Sequence, residues 1–414
     1  MNEHIHGFLV KQRDAQTKFL AELVKVPSDN PPGDCAPHAL RAATLLEEIG
    51  FKVERHPVPE SLVKAAGMKS CTNLIVRERF GEGGPTIAMN AHGDVVPPGT
   101  GWSADPYGAE VRGWGIDARM YGRGVAVSKS DFATYAYAVL ALKALQASAR
   151  ELRGSVELHF TYDEETGGEI GPAWLLAQSL TKPDFAISAG FAHGITIAHN
   201  GCLHLEVEVL GRSGHAARPE TGVDALEAAT AIMAGLYAFR KTLAAKRSAT
   251  PGIAHPTLVI GLVSGGINTN VVPDRVLFRL DRRIVPEEDA AEAERALSAR
   301  LQELAAQWPG IRLGVKRILL ARPFIPVAGQ DKLVACIRKH AERLLGEKIE
   351  AQGVPLYTDA RHYSAAGIPT VLYGAGPKTL EEANGHMADE NLKLDDLHKA
   401  TEVVALSLAD LLRK

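Results

Sequence analysis

The chain has 414 residues, more than one hydrophobic core usually serves, so two domains are expected. With 46 basic against 49 acidic side chains and a formal net charge of −3, it lacks the basic stripe that a nucleic-acid partner or a polybasic membrane anchor would need. There is no run of about 18 apolar residues to predict a transmembrane helix, MNEHIHGFLVKQRDAQ does not read as a secretory signal, and Cys35, Cys71, Cys202 and Cys336 lie apart without CxxC spacing, as reduced thiols of a cytoplasmic protein would.

Residues 7–25 carry apolar positions at helical spacing, and SDNPPGD (28–34) is a loop by its Pro, Gly and Asn content. A helix is expected over 38–49; FKVERHPV, TNLIVRER and TIAMNAH read as strands. After a long loop (94–121), FATYAYAVLALKAL is an apolar helix, and SVELHFTYDEE is a strand ending on acidic residues. This alternation predicts an α/β layer with chemistry at strand ends. The middle differs. LHLEVEVLG alternates like a strand with one polar face, a long helix lies near 223–245, PTLVIGLVSGG and RVLFRLDRR are strands, and a charged helix lies near 287–307. From RPFIPVAG (322–329) the α/β character resumes. The expected plan is a discontinuous catalytic domain (1–200 and 319–414) with a mixed central sheet flanked by helices. An α+β domain with an open four-stranded sheet (201–318) is inserted into it.

His92 stands just past an apolar strand, with Asp94 two residues on; one imidazole nitrogen can take a metal while a nearby carboxylate fixes the other. Asp163, Glu164 and Glu165 close another strand beside Gly167 and Gly168. Three adjacent carboxylates repel unless a cation or protons compensate, which suits one Glu to a metal and one to proton transfer. His386 comes after VLYGAGP in a polar loop, though among fifteen histidines several must be bystanders. GRSGHAARP offers His215, SGGINTNVVPD offers Asn270 and LDRRIVP offers Arg283; none is decisive singly.

Taken together, HGDVVPPGTGW (92–102), ADPYGAE, YGRG (121–124), DEETGG (163–168), GRSGHAARPETG (211–222), NVVPD (270–274), RIVPEE (283–288), TDAR (358–361), YGAGP (373–377) and GH (385–386) resemble, in order and over almost the whole length, one family. It is the zinc aminoacylase and carboxypeptidase family that includes acetylornithine deacetylase, succinyl-diaminopimelate desuccinylase and glutamate carboxypeptidase. The resemblance implies two metals in a catalytic domain. It also implies a dimerisation domain whose His and Asn help bind substrate, often across the subunit interface. It makes His92, Glu165 and His386 metal ligands, Asp94 the partner of His92, and Glu164 the general base that activates the metal-bound water. His215 would polarise the scissile group or stabilise the oxyanion, and Asn270 and Arg283, with the amides of Gly374–Gly376, would anchor a substrate carboxylate.

Two ligands of that pattern are missing. Val127 stands where a bridging aspartate is expected, and Ala189, Gly190 and Phe191 stand where a second carboxylate is expected. Two divalent ions without shared anions repel by several kcal/mol even at an effective dielectric of about 20. The expected centre is therefore mononuclear, one zinc or manganese ion on His92, Glu165 and His386. Asp131 and His193 are candidate extra ligands, with helix capping the better reading of Asp131 and a loop position that of His193. The main expectation is hydrolysis of a C–N bond in a small carboxylate-bearing substrate, of N-acyl amino acid or carboxypeptidase type. One alternative is hydrolytic loss of an amine from an electron-poor aromatic acid, as in the nitroanthranilate aminohydrolases, which resemble this family. Another is a non-catalytic binding or scaffold protein with a degenerate site, against which the retained Glu164 argues. The strand LHLEVEVLG offers an edge that could pair with a second copy, giving a homodimer or larger oligomer in which His215 completes the partner's site.

Overall fold

The computed structural model describes residues 1–147 and 152–413. The chain divides into two compact units, Met1–Ile197 with Pro326–Gln352 and Thr358–Lys414, and Ala198–Ile325 with Gly353–Tyr357. The expected boundary at 318/319 would have cut the strand Arg312–Ala321 in two. The change of composition at RPFIPVAG begins just after this strand ends, closer to the unit border at Ile325 and Pro326.

The first unit is organised by an eight-stranded mixed sheet. Its spatial order is Val53–Pro57, Thr72–Gly81, Gly154–Thr161, Thr86–His92, Phe185–Ser188, Thr370–Leu372, Ile195–His199, Ala351–Val354, and the chain crosses between units within the last two. Thr86–His92 is central, parallel to both neighbours and buried almost throughout, as strands covered on both faces are. The helix Lys129–Gln146 is apolar on nearly every side because it too is enclosed, packing against Asn2–Val24, Leu394–Leu411 and the central strand. The long segment 94–121 is not all loop. It contributes Glu110–Arg112 and Arg119–Tyr121 to a three-stranded sheet completed by Asn391–Lys393. Among the described residues no helix is long and apolar enough to cross a membrane.

The second unit has a four-stranded antiparallel sheet in the order Thr257–Gly265, Arg275–Ile284, Gly201–Leu210, Arg312–Ala321. Leu203, Leu205, Val207 and Val209 alternate onto one face, where the helices Ala225–Ala244 and Ala290–Ala305 cover them. Each helix starts on an aspartate. Asp224 accepts from the amides of Leu226 (2.8 Å) and Glu227 (3.0 Å), and Asp289 from that of Glu292 (2.8 Å). The LHLEVEVLG strand is therefore central, paired on both sides, and has no edge to offer a second copy. Its alternating pattern reported one polar face, which sequence alone could not tell from an open edge. The outer strands are Thr257–Gly265 and Arg312–Ala321.

Candidate active site

His92 ends the central strand in register with Thr161, the last residue of the parallel strand beside it. The two chain segments that leave these strands must then emerge side by side at the carboxyl edge of the sheet, where open α/β sheets bind ligands. After His92 comes Asp94; after Thr161 comes a tight turn, Glu164–Thr166. Asp94 is fully buried and joins the two. Its carboxylate accepts from the amides of Glu164 (3.3 Å) and Glu165 (3.1 Å) and from Asn30 Nδ2 (3.0 Å). The Nδ1 of His92 meets the Asp94 backbone carbonyl at 3.0 Å and its Oδ1 at 3.4 Å. His92 Nδ1 thus faces both the carbonyl and the carboxylate of Asp94, while the carboxylate also positions the two glutamates.

With Nδ1 so engaged, His92 Nε2 lies 4.0 Å from Glu164 Oε2. One ligand atom from each of His92, Glu164 and Glu165 lies within 4.8 Å of the others. His386 Nε2 approaches Glu165 Oε1 at 3.5 Å. Its own backbone sits in the left-handed region at φ +63°, as do Asn384 (+51°) and Asp389 (+57°), a conformation that non-glycine residues hold only where surroundings impose it. Glu390, at the end of this segment, forms a buried ion pair with Arg123 (2.6 Å). Arg123 also donates to the carbonyls of Pro98 (3.1 Å) and Met387 (3.2 Å), while Glu390 accepts from the amides of Ala126 (3.0 Å) and Val127 (3.3 Å).

The electrostatics fit a cation. Burial pushes the Glu164 carboxyl well above its usual range, against the pull of His92 and with the help of Glu165, Asp359 and Asp94. Burial and Asp94 push Glu165 up to about 7, again against His92. Burial alone would depress the His92 pKa, yet Glu164, Asp94 and Glu165 outweigh it and hold it well above the imidazole value. Burial, then His92 and Arg123, lower the His386 pKa below that value. Two carboxylates that resist ionisation beside two imidazoles are a donor set that a divalent ion completes.

Ser128 Oγ donates to the His92 carbonyl (3.0 Å) and accepts from its amide (3.1 Å), which ties the segment that carries Val127 to the end of the central strand. At Gly190 a Cβ would fall 2.7 Å from the Leu372 backbone, so no side chain fits there. Asp131 and His193, the candidate extra ligands, have other partners. Asp131 is no helix cap; its oxygens accept from the amides of Ala375 (2.7 Å) and Gly190 (3.3 Å), clasping two loops. His193 is held through Nδ1 by Glu347 (2.5 Å), and its Nε2 faces Asp396 at 3.4 Å. The amides of 374–376 are also largely committed, since Ala375 donates to Asp131 and Gly376 to the Gly190 carbonyl (2.9 Å), and a Cβ on Gly374 would strike Asp131 Oδ1 at 2.1 Å. Two of these three amides are thus bonded within the loops.

His215, Asn270 and Arg283 belong to the second unit. His215 is exposed on a two-residue strand paired with Val271–Val272, and the Ala216 amide donates to the Asn270 carbonyl (3.0 Å), so these two lie together. Arg283 donates to Asp281 (3.0 Å) and lies 6.0 Å from the Tyr357 ring centroid. Sequence reasoning missed Asn30, hidden in a loop-forming segment, and the Arg123–Glu390 pair. It also missed Asp359, buried near the turn, whose Oδ1 a Cβ on Gly168 would meet at 2.2 Å. TDAR and YGRG were legible as motifs, but only the fold gives Asp359 and Arg123 a task.

The family model for "Peptidase family M20/M25/M40" matches residues 88–410. The acetylornithine deacetylase of Proteus mirabilis (strain HI4320) is 31% identical over 366 residues, 87% of this chain and 86% of that one. Human carnosine dipeptidase 1 superposes with a TM-score of 0.76 at 15% identity, covering 99% of this chain and 98% of the other. The M20 family metallo-carboxypeptidase Sso-CP2 from Sulfolobus solfataricus gives 0.75 at 19% identity, covering 95% and 98%. The chain belongs to peptidase family M20/M25/M40 and is a metallohydrolase acting on C–N bonds.

Proposed function

We propose that the chain hydrolyses an amide C–N bond in a small substrate bearing a carboxylate, an N-acyl amino acid or a dipeptide. The convergence of His92, Glu164 and Glu165 within 4.8 Å at the carboxyl ends of two parallel strands carries this reading. His92, Glu165 and His386 would hold one divalent ion, zinc or manganese. Such an ion, when bound, supplies Lewis acidity that polarises the scissile carbonyl and eases loss of a proton from water. Glu164 takes that proton and passes it to the departing nitrogen; burial raises its pKa above the usual carboxylate range, which strengthens it as a base. Asp94 keeps Glu164 and Glu165 in place through their amides. His215 stabilises the developing oxyanion, and Arg283 with Asn270 binds the substrate carboxylate. The likeness to an acetylornithine deacetylase supports an N-acyl amino acid. Cysteines that form no disulfide support a cytoplasmic setting.

Purified protein, with and without added zinc or manganese, is to be assayed against N-acyl amino acids, dipeptides and aminobenzoates. Metal-dependent release of an amino acid from the first two supports the proposal. Val127, standing where the family pattern expects a bridging aspartate, favours one rival, loss of an amine from an electron-poor aromatic acid; turnover of aminobenzoates alone would establish it.

A further inference from the structure

The second unit carries another group of donors, unrelated to the glutamates. Cys202 and His204 stand two residues apart on Gly201–Leu210, hence on one face, and in the register of the neighbouring strand Asp281 lies opposite His204 and Arg283 opposite Cys202. The face is the one that the two helices leave uncovered, since Leu203 and Leu205 point the other way. His204 Nε2 is 2.9 Å from Asp281 Oδ2 and 3.1 Å from Cys202 Sγ, and Sγ is 3.6 Å from the same Oδ2. Cys202 is buried and in no disulfide; His204 and Asp281 are half-buried.

These distances exclude a nucleophile–histidine–acid relay. That arrangement puts the thiol and the carboxylate on opposite imidazole nitrogens, whereas here both crowd Nε2. One nitrogen has at most one proton to share between two neighbours. A cation satisfies all three atoms together. Around a tetrahedral zinc with bonds of about 2.0 Å to nitrogen and oxygen and about 2.3 Å to sulfur, the donors stand roughly 3.3–3.5 Å apart, close to the triangle seen. We propose that Cys202, His204 and Asp281 form a second metal site for a zinc-class divalent cation. Thiolate and imidazole select against magnesium and calcium, and three protein ligands leave a fourth position for water or a small anion. Asp281 would then bridge, with Oδ2 on the ion and Oδ1 still accepting from Arg283 Nε (3.0 Å). Occupancy thus fixes Arg283 as well as the strand pair. The site differs in donor chemistry from the His92 cluster and stands or falls independently of it.

Cobalt separates the two, because only a sulfur ligand gives a near-ultraviolet thiolate-to-cobalt charge-transfer band. Titrating the whole protein with Co²⁺ should produce that band, and Zn²⁺ should abolish it. The band should persist in His92→Ala, vanish in Cys202→Ser, and need about tenfold or more cobalt in His204→Gln. Circular dichroism and Tm verify folding of each variant. If Cys202→Ser fails to fold, His204→Gln, altered at a half-exposed residue, decides alone. No band in folded wild-type protein, a band that survives Cys202→Ser, or unchanged cobalt affinity in His204→Gln would overturn the site.

Discussion

Glu164 and Glu165 are neighbours in one tight turn, share an anchor in Asp94 and are both pushed toward the protonated form by burial, yet they are assigned different work. Their surroundings separate them, because Glu165 faces His386 and Glu164 faces His92. Glu164→Gln should keep the metal and lose turnover by roughly 100-fold or more, while Glu165→Gln should lose metal. Metal analysis beside kcat measures both, and equal metal loss in the two variants would end the division of roles. Asp94→Ala strands two turn amides and Asn30 at once. It should cost about 1–3 kcal/mol in denaturant unfolding, with activity lost even at saturating metal. The residues legible in sequence were those whose chemistry shows by type and place: a histidine at a strand end, adjacent carboxylates, a histidine after a glycine-rich strand end. Asn30, Arg123, Asp359 and Glu390 stayed hidden because their partners lie far along the chain, as Arg123 finds Glu390 only through the fold.

At the scale of elements, long amphipathic and alternating segments were legible, and the strand–helix–strand–strand–helix–strand run of the second unit is readable from period alone. The three-residue strands Glu110–Arg112 and Arg119–Tyr121 were not, since their sheet is completed by a partner near residue 392 and no local period reports it. Neither was strand order, so the pairing edge was placed on the wrong strand. The open apolar edge is Thr257–Gly265, where Val259 is 53%, Leu262 60% and Val263 61% exposed. An edge so long and apolar is a template for pairing unless covered, and a second copy is the occupant proposed. Val263→Lys should shift a dimer toward monomer in light scattering, and Ile318→Lys, on the opposite outer strand, should not; a wild-type monomer at micromolar concentration would sink the idea. In such a dimer His215 is proposed to serve the partner's glutamates. Mixing inactive His215→Ala with inactive Glu164→Gln should then restore activity at one site of each hybrid, and no recovery despite subunit exchange would count against service in trans.

For the whole molecule, metal and pH act on stability through one set of groups. Burial raises Asp131 to about 7, Glu165 to about 7 and Asp359 to about 6. A carboxyl whose folded pKa exceeds its unfolded value binds more protons when folded, so its contribution falls as pH rises from the unfolded value through the folded one. His92, raised despite its burial, acts with the same sign; its contribution is present below the ordinary imidazole value and lost as pH rises through the folded value. Histidines with lowered pKa, such as buried His38 and half-buried His398 (about 4), pull the other way, so the slope of the metal-free protein alone does not isolate the site. The difference made by metal does, because an ion at His92 and Glu165 displaces the protons held there. Manganese or zinc at fixed excess should therefore raise Tm more at about pH 7.5 than at about pH 5.5, with no such gap in Glu165→Gln. Measured in the Cys202→Ser protein, so that no sulfur site contributes, the bound metal should count to one ion per chain, because Val127 offers no oxygen to share between two. Two ions held in that variant, or a Tm increment independent of pH, would show that a ligand beyond His92, Glu165 and His386 holds the metal.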